Sequence, residues 1–257
     1  MKVMTFNLRS DNILDIHNRW RKRKNIVCDV INKYQCDIVG LQEVTNQMEE
    51  DLKENIAGYH ILGEGRTKKL FLEKNNLLIN KDYSIEESKT FWLSHAPDKI
   101  GSSVWYSLFP RICTTATIEV ETGTRIRVYN THLDCLLPYA REYGLKIIAK
   151  AMEEHHNKEE LPCILMGDFN ATPNSRLIKN FSNGVYSNKH FVAVQEIDQE
   201  LYNQSTMGMF RGKEKGMHID YIFVSEEFTI KDVKLIKDSV EGKYPSDHYP
   251  IITEITL

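Results

Sequence analysis

Residues equipped for metal or phosphate chemistry recur at the ends of apolar segments. Asn7 follows the alternating run of Met4 and Phe6, and Glu43 follows Asp37 to Gln42. His132 follows the run that starts at Arg125, and Asp168 and Asn170 follow Cys163 to Met166. Asp220 stands near the start of Ile219 to Val224, and Asp247 and His248 come just before Ile251 to Ile255. Polar groups delivered at strand ends converge at one edge of a sheet core, where a ligand can reach them. Glu, Asp and Asn are hard oxygen donors, suited to Mg²⁺ with Mn²⁺ as a substitute. Such an ion is usually held by one or two carboxylates, with water and substrate phosphate completing the shell. Zinc fits poorly, because there is no cysteine cluster and the two histidines lack helical i, i+4 spacing. A divalent ion, a cationic side chain and neutral donors together relieve the repulsion that protects a phosphate ester from attack. Asp247 and His248 are neighbours whose side chains point apart in an extended chain. His248 must therefore take its carboxylate from elsewhere, and Asp220 is the natural candidate.

These side chains need a rigid frame. Met1 to Asn7, Asp37 to Gln42, Leu77 to Ile79, Thr114 to Val120, Arg125 to Thr131, Cys163 to Met166, Ile219 to Val224 and Ile251 to Ile255 read as strands. Trp20, Val27, Val30, Ile31 and Tyr34 fall on one side of a helix. Tyr143, Ile147, Ile148 and Ala151 mark a second helix over 139–154. Arg9 to Asn18 reads as a loop. Arg19, Arg21, Lys22, Arg23 and Lys24 surround the first helix's start, as a solvated face or a contact for a phosphate chain. No proline- or glycine-rich linker divides the chain, and no short solenoid repeat is present. Strands outnumber helices, and the pattern predicts sheets covered by helices in one domain.

Composition sets outer limits. The 257 residues are 41% hydrophobic and carry a formal charge of −3. A chain this long buries enough surface to fold without disulfides or a structural metal. The slight acidity argues against a protein that grips duplex nucleic acid by bulk charge. It leaves room for an enzyme that holds one phosphate through a metal. Five cysteines without a C-x-x-C pair suggest free thiols in a reducing compartment. Neither a secretory leader nor an apolar run of membrane-spanning length is visible. The expected address is the cytoplasm, with no membrane and no obligate protein partner.

Six motifs stand in order: Thr5-Phe6-Asn7, Leu41-Gln42-Glu43, Asn130-Thr131-His132-Leu133-Asp134, Gly167-Asp168-Phe169-Asn170-Ala171-Thr172-Pro173, Ile219-Asp220-Tyr221-Ile222 and Ser246-Asp247-His248-Tyr249-Pro250. Each is weak alone; together they are specific. From Met1 to Leu257 the chain resembles the endonuclease/exonuclease/phosphatase superfamily. Phe91-Trp92-Leu93-Ser94 and Pro110-Arg111-Ile112-Cys113-Thr114 resemble a bacterial branch similar to deadenylase catalytic domains. The resemblance implies a four-layer α/β sandwich, two mainly antiparallel sheets face to face with helices outside, as one catalytic domain over residues 1–257. It implies Glu43 as the principal Mg²⁺ ligand, with Asn7 and Asp247 beside it as ligands or partners of bound water. Asp168 would orient or deprotonate the attacking water. Asn170 and His132 would hold phosphate oxygens. Asp220 would fix and charge His248, which would stabilise the pentavalent transition state. Arg111 matches a phosphate-binding arginine, and Glu73 a glutamate that orients the first histidine, giving a Glu73–His132 pair.

The implied activity is metal-assisted, in-line attack of water on a phosphate ester or diester. A nuclease-like hydrolase leads, and nucleic acid stands among the partners. The alternative is a small-molecule phosphatase or phosphodiesterase acting on a nucleotide, sugar or inositol phosphate. A catalytically inactive binding module is a third reading, which the intact residue set opposes. A broad basic stripe beside the cleft would favour the nuclease; a closed, aromatic-walled pocket would favour the small molecule. Trp92, Trp105, Tyr106 and Phe109 are candidates for stacking or for core packing. Gly63-Glu64-Gly65-Arg66 lacks the spacing of a phosphate loop, and Thr67 to Lys69 reads as a basic loop at the cleft rim. His218 is a candidate cleft residue.

Overall fold

The computed structural model describes residues 1–68, 72–187 and 189–257. In chain order the elements are β1 (Lys2–Asn7), α1 (Trp20–Tyr34), β2 (Ile38–Val44), α2 (Asn46–Asn55), β3 (Tyr59–Leu62), β4 (Lys74–Asn80), β5 (Ser84–Trp92), β6 (Ile112–Glu121), β7 (Thr124–His132), α3 (Pro138–Lys158), β8 (Cys163–Asp168), α4 (Arg176–Ser182), β9 (Phe191–Ala193), α5 (Gln199–Tyr202), β10 (Asp220–Ser225), β11 (Thr229–Leu235) and β12 (Ile251–Thr256). They build two six-stranded sheets, ordered β11-β12-β1-β2-β4-β3 and β5-β6-β7-β8-β10-β9. All pairings are antiparallel except β1 with β2 and β7 with β8. Parallel neighbours need a long crossover, and α1 and α3 supply them.

Strand periodicity explains the layers, because successive side chains serve opposite faces. Val3, Ile38 and Ile251 of the first sheet meet Val128, Ile164 and Ile222 of the second in a shared interior. The intervening Met4, Phe6, Val39 and Leu41 pack outward on α1 and α2 through Val27, Ile31, Met48 and Leu52. Leu165, Tyr221 and Phe223 pack outward on α3 and α4 through Leu145, Ile148, Ile178 and Phe181. The four-layer sandwich is therefore present. Its central strands read as continuous apolar runs because both of their faces are covered.

The interior changes character along the parallel pairs. Towards their carboxyl ends the inward positions become Thr5 and Asn7, Gly40 and Gln42, Asn130 and His132, and Asp168. Gln42 Nε2 donates to Asn130 Oδ1 at 2.7 Å. Asn130 Nδ2 donates to the carbonyls of Leu41 and Asn76 at 2.9 and 2.8 Å. This buried amide network ties one sheet to the other immediately behind the polar end.

The eight strand segments and two long helices read from the sequence are all present. β3, β5, β9 and β11 were not legible: β3, β5 and β9 are short or largely exposed edge strands, as is β11, with little apolar patterning. α2 does carry a signal in the sequence. Thr45 caps it by accepting from Met48 N, and Met48 and Leu52 form its buried stripe. No helix among the described residues is long and apolar enough to cross a membrane.

Candidate active site

The carboxyl ends of both parallel pairs open into a cleft of about 370 Å³. Glu43, Glu73, Arg111, His132, Asp168, Asn170, Asp247 and His248 all line it. Asn7 and Asp220 sit directly behind this lining, 1% and 2% exposed. Asn7 Nδ2 donates to Glu43 Oε1 at 3.2 Å and to Asp168 Oδ2 at 3.0 Å, joining the two sheets at the floor. Every residue singled out by position in the sequence is thus brought to one place.

Two of them arrive by backbone distortion. Strict alternation would point Glu43 outward with Leu41. The pairing of β2 with β4 shifts register between Leu41 and Val44, and Glu43 takes φ 61°. This bulge turns its carboxylate into the cleft, where Ser10 N donates to Oε2 at 3.0 Å. Asn170 has φ 48°, held by donation of its N–H to Asp168 Oδ1 at 2.9 Å. Left-handed conformations at residues other than glycine cost free energy and gather at sites that use them.

Charge is distributed unevenly. Burial opposes a proton on His248, but Asp220, then Asp168 and Asp247, outweigh it and raise its pKa well above the ordinary value. The direct partner is Asp220, whose Oδ2 lies 2.9 Å from His248 Nδ1 and also accepts from Thr206 Oγ1 at 2.5 Å. His248 is therefore an imidazolium at neutral pH. His132 goes the other way: burial and then Arg111 push it down to about 4, so it is neutral. Its Nε2 lies 3.1 Å from Asn170 Nδ2. Burial raises the Asp168 carboxyl, with His132 opposing and Asp220 adding to the rise. Burial likewise opposes ionisation of Glu43, but the fields of His132 and His248 and the bonds from Ser10 and Asn7 hold it at about 2.

The Glu73–His132 pair is not formed. Glu73 Oε2 lies 2.9 Å from Arg66 Nη1, while His132 Nδ1 faces Glu43 Oε1 at 4.0 Å. A guanidinium with a 5% exposed side chain needs a counterion more than a neutral imidazole does. His218 does not line the cleft. It forms part of a neighbouring cavity of about 560 Å³, bonded to Gln195 Nε2 and the Gln204 carbonyl. Most of the basic run of α1 is engaged within the protein, while Arg21 is exposed. Arg19 pairs with Asp11 and Lys24 with Asp51, while buried Arg23 donates to the carbonyls of Leu8, Arg9 and Pro245. Of the aromatic segment, Trp92 is buried, Trp105 is 94% exposed and Phe109 lines the cleft. Lys69 lies outside the described residues. Arg9 and Arg66 are cleft residues that sequence reasoning missed. Arg66 ends the segment Gly63-Glu64-Gly65-Arg66, whose spacing carries no phosphate-loop signal.

The donor set can be tested against a divalent ion. Asp168, Asp220 and His248 lie close enough for a common ligand, their donor atoms within 4.8 Å. Asp220 Oδ2 is already engaged by His248 Nδ1 and Thr206 Oγ1, so that trio is better used for proton control. Of the other cleft carboxylates Glu73 is held by Arg66, which leaves Glu43 and Asp247, and Glu43 makes no Lys or Arg ion pair among the described residues. With the Asn7 amide they offer hard oxygens on one wall, which fits a divalent ion of the Mg²⁺ kind. In the same cleft, Arg111 Nε is buried without a hydrogen-bond partner among the described residues. An unpaired buried donor of this sort suits an incoming anion.

Residues 4–248 match the model of the Endonuclease/Exonuclease/phosphatase family. No curated protein matches the chain. Among solved structures it is similar to a mannosyl-6-phosphatase from Bacteroides thetaiotaomicron VPI-5482, with 28% identity, full coverage of both chains and a TM-score of 0.89. The catalytic domain of human Nocturnin is 18% identical, with 100% of this chain and 94% of that one covered and a TM-score of 0.78. TDP2 of D. rerio, solved with a single-stranded DNA product, is 16% identical with a TM-score of 0.76, covering 100% and 99%. The last two likenesses are of fold.

Proposed function

The chain belongs to the endonuclease/exonuclease/phosphatase family of phosphoesterase hydrolases, and from that premise we propose a Mg²⁺-dependent enzyme that cleaves a phosphate ester of a small polar molecule. The observation that carries this choice is the fate of the basic residues. Of the α1 run that would have formed a stripe for nucleic acid, Arg19, Lys22, Arg23 and Lys24 are tied up in ion pairs and carbonyl contacts, and Arg21 is exposed. Of the arginines beside the chemistry, Arg9 pairs with Asp15 and Arg66 with Glu73, which leaves Arg111 as the cleft guanidinium without an ion pair among the described residues. One available guanidinium suits one phosphate group, whereas a polynucleotide needs charge spread along its backbone. The likeness to a protein described as a mannosyl-6-phosphatase supports the same direction.

In this reading the whole chain acts as one catalytic domain. Glu43, with Asp247 and Asn7, would hold the ion, which when bound polarises the phosphoryl group and lowers the charge barrier to attack. Arg111, Asn170 and His132 hold phosphate oxygens. Asp168 receives a proton from the attacking water or fixes its orientation, and Asn7 Nδ2 keeps that carboxylate in place at 3.0 Å. His248, kept charged by Asp220, meets the negative charge that grows on the transferred group. Residues so arranged act by positioning and fixed charge. The thiols are free, four buried and Cys135 exposed, which suits the cytoplasm.

The test is phosphate release from hexose 6-phosphates and nucleotides, and cleavage of single-stranded DNA and RNA, with Mg²⁺ or with chelator. Hexose phosphate turnover should depend on Mg²⁺ and fall by roughly a thousandfold or more in Asp168→Asn. Metal-dependent cleavage of oligonucleotides, with sugar phosphates and nucleotides untouched, would refute the small-molecule assignment.

A further inference from the structure

Arg66, Glu73 and Phe109 line the cleft but take no part in the chemistry above. They form a unit. Arg66 Nη1 lies 2.9 Å from Glu73 Oε2, and the guanidinium carbon sits 4.7 Å from the centre of the Phe109 ring. The backbone fixes the unit: Arg66 N donates to the Glu73 carbonyl at 3.0 Å, and Trp92 Nε1 donates to the Arg66 carbonyl at 2.8 Å. Arg66 and Glu73 also share a small recess with Arg111 and His132, so the unit adjoins the phosphate-holding residues.

Charge separates the roles of the two guanidiniums. Glu73 neutralises Arg66, leaving Arg111 available to a phosphate. The Arg66–Glu73 pair is then a locally neutral surface with donors and acceptors side by side. A carboxylate has about four acceptor positions, and here Arg66 Nη1 pairs with Oε2. The Glu73 side chain is 21% exposed, so acceptor capacity faces the cleft. Neighbouring hydroxyls match such a surface, because each both donates and accepts. A half-buried aromatic ring at the same edge adds an apolar face for the C–H side of a polyol. A second phosphate would instead meet the Glu73 carboxylate.

We propose that Arg66, Glu73 and Phe109 form a hydroxyl-reading subsite that selects phosphate esters of polyhydroxylated compounds. It rests on the small-molecule assignment and names the feature of the leaving group that the enzyme recognises. The subsite acts on binding and orientation of that group, and Arg111 with the residues around Asp168 acts on phosphorus.

The experiment compares mannose 6-phosphate, p-nitrophenyl phosphate and fructose 1,6-bisphosphate on wild type, Glu73→Gln and Phe109→Leu, with Mg²⁺ present. Phe109→Leu keeps the Arg66–Glu73 ion pair, so it remains informative if Glu73→Gln fails to fold. In each folded variant, kcat/KM for mannose 6-phosphate relative to p-nitrophenyl phosphate should fall about ten- to a hundredfold, mainly through KM. Equal losses on both substrates would overturn the subsite while leaving the phosphatase assignment intact. So would a gain for the bisphosphate alone in Glu73→Gln, since that would mark an anion site. Wild type that cleaves oligonucleotides and no sugar phosphate would remove both.

Discussion

Asp220 and His248 come from different strands' edges and touch only in the fold, at 2.9 Å. The imidazolium survives burial because Asp220 supplies the opposing charge. Asp220→Asn keeps the shape and removes that charge. Burial then dominates, and the folded-state pKa of His248 falls from its raised position. Protonated His248 would be lost at a lower pH, so the alkaline limb of the kcat profile should move to lower pH. At neutral pH, kcat should drop roughly a hundred- to a thousandfold. A pH–rate profile of wild type and variant measures both; an unmoved alkaline limb would mean that the pair does not set the working charge. This pair was legible in the sequence by exclusion, since Asp247 cannot reach His248 from the next position. The partner of Glu73 was not legible. It depends on Arg66, brought alongside by the antiparallel bridge of Gly65 with Lys74 and ranking above His132 in its need for a carboxylate.

At the scale of elements, two parallel strand pairs with helical crossovers aim four site residues in one direction. β1 and β2 bring Asn7 and Glu43, and β7 and β8 bring His132 and Asp168. The apolar runs that form these strands were plain in the sequence because central strands are buried on both faces. What alternation could not show was the bulge that turns Glu43 inward, since register shifts depend on the partner strand β4. The join of β7 to β8 is equally particular. Gly167 has φ 143° and stands opposite Thr131, and a Cβ there would lie 1.9 Å from the Thr131 carbonyl oxygen. Gly167→Ala must therefore push apart the strands that carry His132 and Asp168. It should destabilise the protein by about 3 kcal/mol or more and reduce kcat in the same variant. Urea titration with activity measured on the folded fraction tests this. A stable, fully active variant would show that the strand join tolerates the side chain.

For the molecule as a whole, the site exists only where the two sheets meet, so its geometry depends on their relative placement. Apolar contacts hold the sheets together but resist sliding weakly, because they are non-directional. The Gln42–Asn130 network supplies direction: three bonds link β7 to β2 and β4 within reach of Glu43 and His132. Asn130→Leu would fill similar space while leaving the Leu41 and Asn76 carbonyls and the Gln42 amide without these partners. The expected loss is about 2–4 kcal/mol of stability. If the network also sets sheet placement, kcat should fall in the folded variant although Asn130 touches no reacting group. Gln42→Leu should share the loss, and the double variant should cost about 0.5–3 kcal/mol less than the sum of the singles. Denaturant titrations of the four proteins measure that coupling, and kcat on the folded fraction measures placement. Lost stability with unchanged kcat would assign the network to folding alone, and registry of the catalytic edges would then rest on the Asn7–Asp168 contact at the floor and the buried Asn75–Ile112 bond between β4 and β6.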